Sequence, residues 1–85
     1  MKEFTFQTSG VCSQEVSFAL DEQNRVHNVH FLGGCPGNLL AIGKLVEGAD
    51  ATQVAALLKG NDCGGRGTSC ADQLSRALTQ ALAQK

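Results

Sequence analysis

Cys12, Cys35, Cys63 and Cys70 are the residues of this chain best equipped for chemistry, and each lies in or beside a glycine-containing turn rather than inside a hydrophobic run. Four thiolates form a complete tetrahedral ligand set for Zn²⁺ at about 2.3 Å per sulfur. The same four can hold a [2Fe–2S] or [4Fe–4S] cluster, and pairs of them can cycle between dithiol and disulfide. A structural zinc site in a small peptide contributes folding free energy on the order of 10 kcal/mol or more, comparable with the whole stability of a small domain. Spacing does not select among these options, because Cys63 and Cys70 form C-x6-C and not the paired C-x2-C knuckles of common zinc modules. The bland alternative is a set of small buried hydrophobes, which glycine-flanked loop positions disfavour.

The residues around the cysteines suit anionic sulfur. Cys35 and Cys70 fall at expected helix starts, where free N–H groups and the helix dipole favour negative charge. Gly33, Gly34, Gly64, Gly65 and Gly67 allow close backbone approach, and Lys59 and Arg66 can offset a tetrathiolate's charge. The run Gly64, Gly65, Arg66, Gly67, Thr68 and Ser69, just before a helix, is an alternative anion or phosphate cradle. It lacks the Lys-Ser/Thr pair of a P-loop. Of the two imidazoles, His27 and His30, the second points to the wetter sheet face and is an alternative metal ligand. No Ser-His-Asp or Cys-His pairing is visible, so no catalytic residue is assigned.

The elements that must position these residues follow from periodicity. Phe4 and Phe6 share one strand face, Val16, Phe18 and Leu20 a second, and His27, Val29 and Phe31 a third. Thr5, Gln7, Glu15, Ser17, Asn28 and His30 take the opposite, wetter faces. The polar run 21–25 is a turn between the second and third strands. From Pro36 the period becomes helical, with Leu39, Ile42, Leu45 and Val46 as a stripe ending near Gly48. Asp50 caps a shorter helix with Val54, Leu57 and Leu58 inward, stopped by Gly60. Ser69 and Asp72 make a capping arrangement for a last helix carrying Leu74, Ala77, Leu78, Ala81 and Leu82 on one face.

The expected fold is therefore α+β, a three-stranded antiparallel β-meander followed by three helices packed on one face, in a single domain spanning residues 1–85. In a meander the first strand arrives at the end carrying Cys12 and the third returns there with Cys35. A helix running away and a second coming back would deliver the 61–70 segment to the same end, so all four cysteines would converge.

Composition narrows the function classes. A formal net charge of -1 gives no footprint for nucleic acid or an anionic membrane. The opening has no apolar h-region, and no stretch nears about 18 uninterrupted apolar residues, so the chain is expected in the cytoplasm, away from membranes. Disulfides rarely persist there, which favours metal ligation or redox chemistry.

The segments Gly33-Gly34-Cys35-Pro36-Gly37-Asn38 and Cys63-Gly64-Gly65-Arg66-Gly67-Thr68-Ser69-Cys70-Ala71-Asp72, with Cys12 upstream, resemble the small four-cysteine proteins of the TSCPD family over nearly the whole chain. The family is named for a Thr-Ser-Cys-Pro-Asp motif; here alanine replaces proline at Ala71, where either residue suits the first helical turn. Domains of the family that this chain resembles lie at the C-terminus of some ribonucleotide reductases, notably coenzyme-B12-dependent ones. The resemblance thus implies a link to deoxyribonucleotide and DNA synthesis, with a ribonucleotide reductase or another protein as partner. Stand-alone members are often labelled ribonucleoside-diphosphate reductase, yet 85 residues cannot hold the reductase barrel, so an accessory role is expected. The combined expectation is a cysteine-ligated module with Zn²⁺ as cofactor or, alternatively, an Fe–S cluster.

Overall fold

The computed structural model describes residues 1–8, 13–33, 36–61 and 68–84. Three strands, β1 (Lys2–Gln7), β2 (Ser13–Leu20) and β3 (Val26–Gly33), form an antiparallel sheet in the order β1-β2-β3. Helices α1 (Pro36–Val46), α2 (Ala51–Leu58) and α3 (Cys70–Gln84) follow. This is the expected α+β meander with three helices.

Register explains the core. Phe4 faces Phe18 and Phe6 faces Val16, so these four residues share a sheet face by two-residue alternation. Phe4, Phe6 and Phe18 stack with ring centroids 5.7 to 6.4 Å apart, and such pairs add about 0.5–1.5 kcal/mol each beyond area burial. All three helices close on this face: Val46 from α1, Val54 and Ala55 from α2, and Leu74, Leu78 and Ala81 from α3 join Phe4, Val16, Phe18, Leu20 and Val26 in one cluster. Phe18→Ala would remove the centre of that cluster at about 3–5 kcal/mol.

Three details differ from the alternation read in the sequence. Asn28 adopts φ 57°, and the pairing slips there, with Ser17 opposite His30 but Ala19 opposite His27. The extra residue is a β-bulge, which returns Val29 and Phe31 to the core face but puts His27 on the other. Leu45 and Leu57 are 82% and 81% exposed. At 100° per residue each lies about 90° away from the centre of the inward lines 39-42-46 and 51-54-58. Gly43 occupies the middle of the α1 stripe; a β-carbon there would sit 3.1 Å from the Val29 carbonyl oxygen, so the absence of one lets α1 approach β3 closely.

The connections set direction. The 21–25 turn is closed by Asp21, whose Oδ1 accepts the N–H groups of Gln23 and Arg25 at 2.9 Å each, with Asn24 in the left-handed region at φ 61°. Where α1 ends, Gly48 N–H donates to Val26 O at 2.7 Å and Val26 N–H donates to Ala49 O at 2.8 Å. Helix α1 therefore runs from the end of β3 back to its beginning. Ala51 N–H donates to Asn24 O at 2.9 Å, so α2 starts at that far end, capped by Asp50 accepting from Thr52 and Gln53. Gly48 and Gly60, both at φ 78°, follow the two helices as left-handed stops.

Candidate functional site

Of the four cysteines, Cys70 is described; Cys12, Cys35 and Cys63 lie outside the described residues, as do Gly64, Gly65, Arg66 and Gly67 of the glycine-rich run. Cys70 is half-buried and opens α3. Among the described residues no group of three or more His, Cys, Asp or Glu is arranged to hold a metal ion.

The described flanks of the cysteines do come together. Gln7 faces Glu15 and Ser13 faces Gly33, so the departure from β1, the entry to β2 and the exit from β3 occupy one end of the sheet. Helix α2 starts at the other end and finishes beside α3, where Gly60 N–H donates to Asp72 Oδ1 at 2.7 Å. Ser75 Oγ donates to Ala55 O at 2.7 Å farther along, so the two helices run antiparallel. Gln73, one turn into α3, lines a cleft together with Gln7 and Thr8 at the end of β1.

The start of α3, which carries Cys70, is held by a collar of polar side chains. Ser69 is the N-cap: its Oγ accepts Asp72 N–H at 3.0 Å and Asn61 Nδ2–H at 3.2 Å, and donates to Asn61 O. That saturates the hydroxyl. The sequence reading of a Ser69–Asp72 capping pair holds on the serine side. Asp72 does not reach back to Ser69; its carboxylate takes the N–H of Gly60, Thr68 Oγ1–H at 2.6 Å and Arg76 Nε–H at 2.9 Å. Thr68 Oγ1 in turn accepts Gln73 Nε2–H at 3.0 Å. The Asp72 side chain is 2% exposed. Hydrogen bonds from Thr68 and Gly60, with the Arg76 charge, hold its carboxyl below the ordinary carboxylate range despite burial. Thr68 and Ser69, offered by the sequence as anion ligands, are buried and direct these hydroxyl bonds into the collar.

A second polar cluster lies at the far end and has no counterpart in the sequence reading. His27 Nδ1 is 2.6 Å from Glu47 Oε2 and His27 Nε2 is 2.8 Å from Asp21 Oδ2. Both ring nitrogens face carboxylates, an arrangement satisfied when both carry protons. The bonds to Asp21 and Glu47 raise the His27 pKa above its ordinary 6.5. The backbone N–H of Arg25, then His27, lowers Asp21 to about 2, and the Asn28 N–H, then His27, lowers Glu47. Asp21 and His27 flank one turn and could have been paired from sequence; Glu47 arrives only because α1 folds back along β3. His30 is exposed on β3 and brings no acidic or thiol partner into a ligand group among the described residues.

The family model described as TSCPD domain matches residues 2–82. No curated protein and no solved structure matches the chain. No described helix is long and apolar enough to cross a membrane.

Proposed function

On the premise that this chain belongs to the TSCPD domain family, known from ribonucleotide reductase-related proteins, we propose that it is a metal-binding accessory module linked to deoxyribonucleotide synthesis. Zn²⁺ is the metal and Cys12, Cys35, Cys63 and Cys70 are its ligands. The observation carrying this reading is the delivery of described flanks to one end: Thr8, Ser13 and Gly33 through the sheet register, and α3 through its return beside α2. The donor set also fits, since four thiolates satisfy zinc without water or an open position, as in structural rather than catalytic sites. Bound there, the metal supplies a crosslink among four chain segments. The chain's own contribution is positional: the Ser69–Asp72 collar fixes the start of α3, so Cys70 is presented from a rigid helix end. The partner is a ribonucleotide reductase or a related protein, and the module carries no reaction of its own.

Elemental analysis and a visible spectrum of anaerobically purified protein test this reading. Zinc at one per chain in a colourless sample is the expected result. A brown, iron-containing sample would replace it with an Fe–S module, and metal-free protein with a reversible disulfide would replace it with a thiol relay.

A further inference from the structure

We propose that the cleft between the end of β1 and α3 is a binding site for a small organic anion, a ring-sized apolar body bearing one carboxylate or phosphate. The cleft measures about 210 Å³. For scale, an apolar cavity of about 150 Å³ accommodates benzene, which leaves room here for a charged substituent. Phe6 supplies the apolar wall, backed by the buried Val16 and Ala77, and Gln7 and Gln80 add carboxamides.

Arg76 selects the charge. It is the sole charged residue among the described residues lining the cleft and is 60% exposed, whereas its partner Asp72 is 2% exposed and meets it through Nε. The buried carboxylate thus anchors the base of the guanidinium from inside the collar. The guanidinium is a planar donor that matches carboxylate and phosphate geometry, and Asp72 takes it through Nε. The oxygens of Asp72 are already divided among Gly60, Thr68 and Arg76, which orients Arg76 rather than closing the cleft. None of the described residues lining this site is a cysteine, and its recognition chemistry uses no thiol.

The test is an amide NMR titration of the full chain with benzoate and phenyl phosphate, using benzamide as the neutral counterpart. Saturable shifts at Phe6, Thr8, Gln73 and Ala77, with at least one anion bound about tenfold or more tighter than benzamide, are expected; which anion is tighter identifies the head group. Arg76→Gln should erase that preference and Arg76→Lys retain part of it. Because loss of Arg76 also disturbs Asp72, Gln80→Glu provides a second arm: it removes neither Asp72 nor Arg76 and should weaken the anions by a larger factor than benzamide. Benzamide binding as tightly as both anions, shifts elsewhere on the chain, or no saturable shift with any probe would overturn the proposal.

Discussion

The backbone N–H of Gly60 donates to Asp72 Oδ1 at 2.7 Å, fastening the exit of α2 to the first turn of α3 across the segment that contains Cys63. Thr68 and Arg76 share the other carboxylate oxygen, so one buried side chain joins three parts of the chain.

Asp72→Ala should therefore destabilise the protein by about 2–3 kcal/mol, because it strands the buried Thr68 hydroxyl and removes the bonds to Gly60 and Arg76. For a domain of this size that corresponds to a fall in Tm of roughly 10 °C or more. Asp72→Asn should lose a large part of the same stability, since its amide presents hydrogens to at least one donor that now points at an oxygen. Thermal and urea unfolding monitored by circular dichroism measure both variants. A change within experimental error for Asp72→Ala would remove the collar from the account.

His27 predicts a pH dependence with a definite sign. Its pKa is raised on folding, so its contribution is full below about 6.5, the unfolded value, and is lost as pH climbs through the higher folded value. Asp21 and Glu47 are lowered, so theirs is present above the ordinary carboxylate values of 3.8 and 4.5 and is lost on acidification, for Asp21 down to about 2. The cluster is strongest between about pH 5 and 6. Wild-type Tm should fall between pH 6 and pH 9 more than that of His27→Gln, and an imidazole NMR titration should give a midpoint above 6.5. Equal pH slopes for the two proteins would contradict the assignment.

The two helix glycines of α1 should respond oppositely to alanine. A β-carbon at Gly37 meets nothing within 4 Å, whereas one at Gly43 lies 3.1 Å from the Val29 carbonyl oxygen. Gly37→Ala should raise stability by about 0.5–1 kcal/mol through helix propensity. Gly43→Ala meets backbone that must shift, so its propensity gain is consumed and the variant is destabilised. Denaturant midpoints of the two variants check the sign of each.

These effects also mark what sequence can and cannot reveal. Phe4, Phe6, Val16 and Phe18 were legible as a core face because strand alternation is strictly local. Asp50 was legible as a cap for the same reason, its bonds to Thr52 and Gln53 spanning three residues at most. His27 was misplaced because a single left-handed residue, Asn28, resets the alternation, and asparagine does so without a distinctive neighbourhood pattern. Leu45 and Leu57 look like core residues by type and are exposed by angle, a distinction that depends on which helical line the sheet selects. Asp72 was visible as a capping residue, and Arg76 lies one local turn away from it, but its partner Gly60 depends on α2 returning to α3. The cleft at Arg76 was invisible, since Phe6 and Ala77 meet only in the folded chain.

The central claim is that the four cysteines bind one metal together, and zinc content measured alongside Tm in the wild type and in the single variants Cys12→Ser, Cys35→Ser, Cys63→Ser and Cys70→Ser tests it most directly. One zinc per chain in the wild type is predicted, with each serine lowering zinc content and Tm in the same sample. A folded wild type without metal, or four variants whose zinc content is unchanged, would contradict it.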